Sequence, residues 1–146
     1  MMLDHALERA VRQVEKVTRE EIPENVPEHL QLGIKGENLA ADYLVLQGYT
    51  LVARNVRYKF GEIDIIAKEK DEIVFVEVRT RSIGYILPAD RTVGPDKLKK
   101  LTKAAKIWVQ NNHYEGFWRI DLVAITIDKH GKEEIEHIKD ITEGIL

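Results

Sequence analysis

At 146 residues with 44% hydrophobic content, the chain can bury one sizeable core, so one main domain is the natural organisation. It has no cysteine, which excludes disulfides, zinc-thiolate sites and thiol nucleophiles and leaves carboxylates and histidines as metal ligands, a set that favours hard cations. Net charge is -3, yet residues 33–127 hold 15 Lys and Arg against 12 Asp and Glu while the two ends hold 7 against 13, so the middle is basic and the excess acid is peripheral. No apolar run approaches the ~20 residues of a membrane span, and the N-terminus lacks the basic start and apolar core of a signal peptide, so a cytoplasmic chain with no membrane partner is expected.

Leu3, Leu7, Ala10, Val14 and Val17 draw one apolar seam along a helix over residues 3–19, which needs a partner surface on its own domain or on a second copy. Glu21 to Gln31 carries Pro23 and Pro27 among acidic residues and reads as a linker. A second helix is predicted from Ile34 to Gln47, stopped by Gly48. Ile34, Ala41, Leu44 and Val45 form its apolar stripe, with Leu39, Tyr43 and Leu46 as a second patch on which the N-terminal helix could dock. Glu37 falls within the stripe; it either answers the helix dipole or points inward as a ligand.

Residues 50–57 read as a strand leading into a hairpin with strands over 62–68 and 73–79, joined by Glu69-Lys70-Asp71-Glu72. A symmetric hairpin sets Asp64 opposite Glu77 and Glu62 opposite Arg79, all on one face. Like charges directly across two strands oppose folding unless something positive lies between them, and a divalent metal is the simplest candidate. A structural ion-pair network is the alternative.

Ser82 to Gly94 reads as a long loop, and Pro95-Asp96 opens a third helix running to about Asn112. Leu98, Leu101, Ala105, Trp108 and Val109 line its inner face, while Lys99, Lys100, Lys103 and Lys106 form a basic stripe, either solvated surface or a track for nucleic-acid phosphates. Lys97 sits at the border of the apolar face, free to turn inward. Residues 117–127 and 133–138 are predicted as a core strand and an edge strand, with Arg119 and Asp121 sharing a face as an ion pair. His5, His29, His113, His130 and His137 are scattered and read as surface residues.

Gly36-Glu37, Asn55, Gly61-Glu62-Ile63-Asp64, Phe75-Val76-Glu77-Val78-Arg79-Thr80-Arg81, Lys97, Ala104-Ala105 and Arg119-Ile120-Asp121, in order over residues 33–127, resemble the motif series of the bacterial YraN family. That family is itself similar to archaeal Holliday-junction resolvases and to restriction-endonuclease-like enzymes. The resemblance implies an α/β domain with a mixed sheet flanked by helices over residues 33–146, after an N-terminal helix and linker over 1–32. It also implies magnesium- or manganese-dependent cleavage of DNA, branched DNA included, by a protein that acts as a homodimer if the resolvase analogy extends that far.

Carried across, the nuclease pattern places Glu37, Asp64 and Glu77 as metal ligands, with Arg79 completing the catalytic set and Glu62 and Lys97 in support. Arg79 stands where the pattern has lysine, and arginine stays protonated and exchanges protons poorly. Binding is therefore expected to outlast cleavage, unless Lys97 takes the missing lysine's place. A non-catalytic nucleic-acid-binding or interaction module on the same scaffold is the alternative.

Overall fold

Pro27 stands at the start of the first described helix. The computed structural model describes residues 25–82 and 93–142; the helix expected over 3–19 and most of the loop expected over 82–94 lie outside the described residues. Helix α1 spans Glu28–Leu46, so it starts ahead of the expected Ile34 and takes in residues 28–32, which the sequence assigned to a linker. A proline just before the first turn forfeits no helical N–H, and the Pro27 carbonyl accepts from the N–H groups of Leu30 at 2.9 Å and Gln31 at 3.0 Å. The proline read as a breaker is a starter. At the other end Gly48, at φ 93, stops the helix as expected.

Strand β1 (Thr50–Tyr58) pairs antiparallel with β2 (Gly61–Glu69), which pairs antiparallel with β3 (Glu72–Ser82). Helix α2 (Pro95–Asn111) lies between β3 and β4 (Trp118–Ile127) in sequence; β4 runs parallel to β3, and β5 (Glu133–Ile138) closes the sheet antiparallel to β4. Strand order is β1-β2-β3-β4-β5, a mixed sheet as expected.

Each face of the sheet has its own helix. Ala40, Ala41 and Leu44 of α1 pack on Ile65, Ala67, Val74, Val76, Val123 and Ile125. On the opposite face Leu98, Leu101, Ala105 and Trp108 of α2 pack on Ile63, Ile66, Ile73, Phe75 and Ile120. Strands covered on both sides lose the polar alternation of a half-wet sheet, which is why Ile73 to Glu77 is buried without a break.

The seating of α1 differs from the periodicity in an instructive way. Its buried positions are Gly36, Ala40, Ala41 and Leu44, whereas Val45 is exposed and Ile34 half-buried. Leu39 and Tyr43, read as an outer docking patch, pack against the sheet core, and of that patch Leu46 alone lies open. The cause is Gly36: a Cβ there would collide with the Thr80 side chain, so the helix touches β3 along its smallest residues and turns its face accordingly. The same seating sets Glu37 beside β1 and β2.

Candidate functional site

The β2–β3 ladder runs from Glu69↔Glu72 to Ile65↔Val76, the register implied by the sequence. One step further the side chain intervenes, because Asp64 Oδ2 accepts the Val78 N–H at 2.8 Å. The carboxylate thus occupies a place at the sheet that a backbone carbonyl would otherwise fill.

The alternation of side chains reverses at this point. Ile63 belongs to the core under α2 and Ile65 to the core under α1, although two residues apart in a regular strand share a face. The neighbouring pairs Arg54↔Ile65 and Val56↔Ile63 flank Asn55, which adopts a left-handed φ of 50 across from Asp64. The two strands kink together. In consequence the regular pairing expected of the four charged residues is not kept throughout. Glu62 and Asp64 line a groove of about 580 Å³ with Glu37, Asn55, Arg57 and the start of α1. Glu77 is buried and pairs with Lys97 of α2 at 3.6 Å, and Arg79 is half-buried on the same strand. Glu62 faces Arg57 across the β1–β2 ladder, at 3.4 Å, rather than Arg79.

Asp64 and Glu77 nevertheless remain electrostatic neighbours. Burial, and then the Glu77 charge, push the Asp64 carboxyl up to about 8, against the lowering effect of the Val78 N–H; Glu37 and Glu62 add smaller increments in the same direction. Left to itself, Asp64 is held protonated at neutral pH. Glu77 Oε2 is buried with no hydrogen-bond partner among the described residues, the Lys97 ammonium being near enough for an ion pair and too far for a hydrogen bond.

Oxygen donors, a suppressed ionisation and an unsatisfied carboxylate oxygen are what a hard divalent cation would relieve. Among the described residues no three Asp, Glu or His side chains stand close enough to ligate one ion together. The fit therefore rests on the Asp64 and Glu77 pair, with Glu37 contributing charge from the groove.

Arg54 is a member of this site that the sequence reading passed over. Its side chain is 1% exposed, donates from Nη1 to Asn38 Oδ1 at 2.9 Å and brings Nη2 within 3.8 Å of Glu37. It offsets the Glu37 charge from ion-pair distance. The one signal in sequence was a charge inside the apolar run of residues 51–56, and the irregularity of β1 between Leu51 and Ala53 hides which face that charge takes.

On α2, Lys99, Lys100, Lys103 and Lys106 are all exposed, as the helical spacing predicts, and Lys97 is half-buried. Phe60, between β1 and β2, is exposed beside them and drew no notice in the sequence.

A second polar cluster lies toward the hairpin turn. Arg119 and Asp121 make the expected ion pair, at 2.9 Å, but the pair is the centre of a larger network. Arg119 also reaches Glu72, Glu69 at 3.4 Å and the Tyr49 hydroxyl at 2.9 Å. Asp121 is fully buried, accepts the Asp140 N–H at 2.9 Å and meets His137 Nε2 at 2.7 Å. His137 Nδ1 in turn lies 3.2 Å from the Tyr43 hydroxyl, so His137 is no surface residue: β5 carries it inward against α1. Burial by itself would raise the Asp121 carboxyl, but hydrogen bonds from His137, Arg119 and the Asp140 N–H outweigh it and hold the carboxyl below its usual range. The network ties α1, the hairpin and the last two strands together.

The family described as "Uncharacterised protein family UPF0102" matches residues 36–125. Similar proteins include a UPF0102 protein of Pelobacter propionicus, 38% identical over 130 residues and covering 86% of this chain and 93% of that one. A UPF0102 protein of Corynebacterium efficiens is 41% identical over 119 residues, covering 80% and 96%. One of Shewanella sediminis is 42% identical over 101 residues, covering 69% and 86%. The matched span takes in every candidate site residue.

Proposed function

The chain belongs to the uncharacterised protein family UPF0102, and from that premise we propose that it binds DNA and cleaves phosphodiester bonds with the help of magnesium or manganese. The observation that carries this reading is the buried pair of carboxyl groups, Asp64 and Glu77, which cannot both ionise without cost, with the Lys97 ammonium on the second of them and a face of four lysines on the same helix. Such an arrangement opposes folding, and a site that accepts a cation and a phosphate accounts for it.

Asp64 and Glu77 would hold the ion, which when bound polarises the phosphoryl group and activates water. The Val78 N–H fixes the Asp64 carboxylate to the sheet, and Arg54 offsets the charge of Glu37. Lys97 is placed to offset charge building on the phosphate and to hold or release a proton there, the role that Arg79 fills poorly. Lys99, Lys100, Lys103 and Lys106 would bind flanking phosphates without reading sequence.

A non-catalytic binding module is the second reading, favoured by Arg79 in the lysine position of the nuclease pattern. Lys97 beside Glu77 weighs against it, because the chain has a lysine at the carboxylates by another route. The test is a titration with magnesium and with manganese of the unmodified chain, Asp64→Ala and Glu77→Ala, followed by cleavage assays on duplex, single-stranded and four-way-junction DNA. The unmodified chain should gain thermal stability with metal and both variants should not. The same response in all three would remove the metal site; a metal response with no cleavage of any substrate would leave the binding module.

A further inference from the structure

We propose that Phe60 is a stacking platform for an unpaired base, so that the preferred nucleic acid presents a single strand to the lysine face of α2; this deepens, and rests on, the nucleic-acid reading above. Phe60 and Lys59 form the short connection between β1 and β2, where polar residues are the norm, and Phe60 is 48% exposed. It belongs to neither core cluster, and its neighbours on α2 are lysines rather than apolar side chains.

The ring is set among cations. Lys103 Nζ lies 3.7 Å from its centroid and Lys59 Nζ 5.8 Å. Phe60 lines a shallow depression of about 370 Å³ with Lys99, Lys100, Lys103 and Asp96, the one acid among them. The platform is also fixed in position: a Cβ on the next residue, Gly61, would stand 3.2 Å from the Lys100 carbonyl, so the turn is seated directly on α2.

An aromatic face ringed by lysines suits single-stranded nucleic acid, because every base has a face to stack and its backbone brings phosphates to the ammonium groups. Duplex DNA offers the same phosphates but keeps its base faces stacked on each other. The lysines alone would therefore bind both forms, and Phe60 adds a preference for the unpaired one.

The experiment measures binding of a single-stranded oligonucleotide and of its duplex, over a range of salt, to the unmodified chain, Phe60→Ala, Phe60→Trp and the triple change of Lys99, Lys100 and Lys103 to Ala. Phe60→Ala should weaken single-strand binding roughly 5- to 150-fold, the range for losing one stacked base, with an unchanged salt slope and little effect on the duplex. Phe60→Trp should retain the preference, and quenching of a 2-aminopurine base in the strand should be lost in Phe60→Ala alone. The triple lysine change should instead weaken both forms and flatten the salt slope. Equal losses on both forms, or no loss, in Phe60→Ala while the lysine change still acts would overturn the platform and leave nucleic-acid binding standing. No binding of either form by the unmodified chain would overturn both.

Discussion

Replacing Asp64 by Asn should stabilise the metal-free protein at neutral pH, an unusual result for a polar residue at the sheet. The folded chain keeps the Asp64 carboxyl protonated up to about 8, whereas an unfolded aspartate ionises near ~3.9. A folded-state pKa raised in this way contributes stability that is complete below the unfolded value and is lost as pH rises through the folded one. At ~1.4 kcal/mol per pH unit, the loss between pH 4 and pH 7 approaches ~4 kcal/mol, and relaxation with water entering the groove should reduce it to about 1–3 kcal/mol.

Asparagine keeps an oxygen to accept the Val78 N–H and has no charge to set against Glu77. Urea unfolding at pH 5, 6, 7 and 8 in the presence of a chelator would show the unmodified chain losing stability with rising pH more steeply than Asp64→Asn. Added magnesium should then narrow the gap by stabilising only the unmodified chain. Parallel pH profiles, or a variant less stable at pH 8, would show that Asp64 is not suppressed by its surroundings and would remove the main physical argument for a cation there.

Lys97→Ala should abolish metal-dependent cleavage with little change in DNA affinity, whereas Arg79→Lys should keep binding and raise cleavage; robust activity that survives the first change and falls with the second would place the chemistry at Arg79. Gly36→Ala should destabilise by about 1–3 kcal/mol in a denaturant melt despite the ~1 kcal/mol that alanine gains in a helix, and Thr80→Ala should recover part of that loss. Asp121→Asn should cost about 1–3 kcal/mol near neutral pH, since Arg119 and His137 lose a buried charged acceptor while Arg119 keeps Glu69 and Glu72. Because the folded Asp121 carboxyl is held low, the stability it contributes is present above ~4 and lost as pH falls further, so the two unfolding curves should converge in acid.

Much of the architecture was legible because it depends on neighbours in sequence. Local periodicity and turn residues located both described helices and all five strands, the hairpin register followed from a short polar turn, and the spacing of Lys99, Lys100, Lys103 and Lys106 placed them on one exposed face. The Arg119 and Asp121 pair was equally local, two residues apart in one strand. Pro27 was misread because a proline can end one element or begin another, depending on whether the residues after it can continue a helix.

The tertiary structure decided what depends on contacts between distant segments. The kink at Asn55 and Asp64 comes from two strands adjusting together, so counting alternate residues along either one put Glu62 opposite Arg79, whereas it pairs with Arg57. Arg54 meets Glu37, His137 meets Asp121, and Lys97 meets Glu77 only once the helices are seated, and the seating of α1 is set by a glycine against a threonine 44 residues away. Residue types and order determined a sheet with charge built into it. Which of those charges face one another was settled by packing, because a side chain's partner is chosen by the surface that covers it.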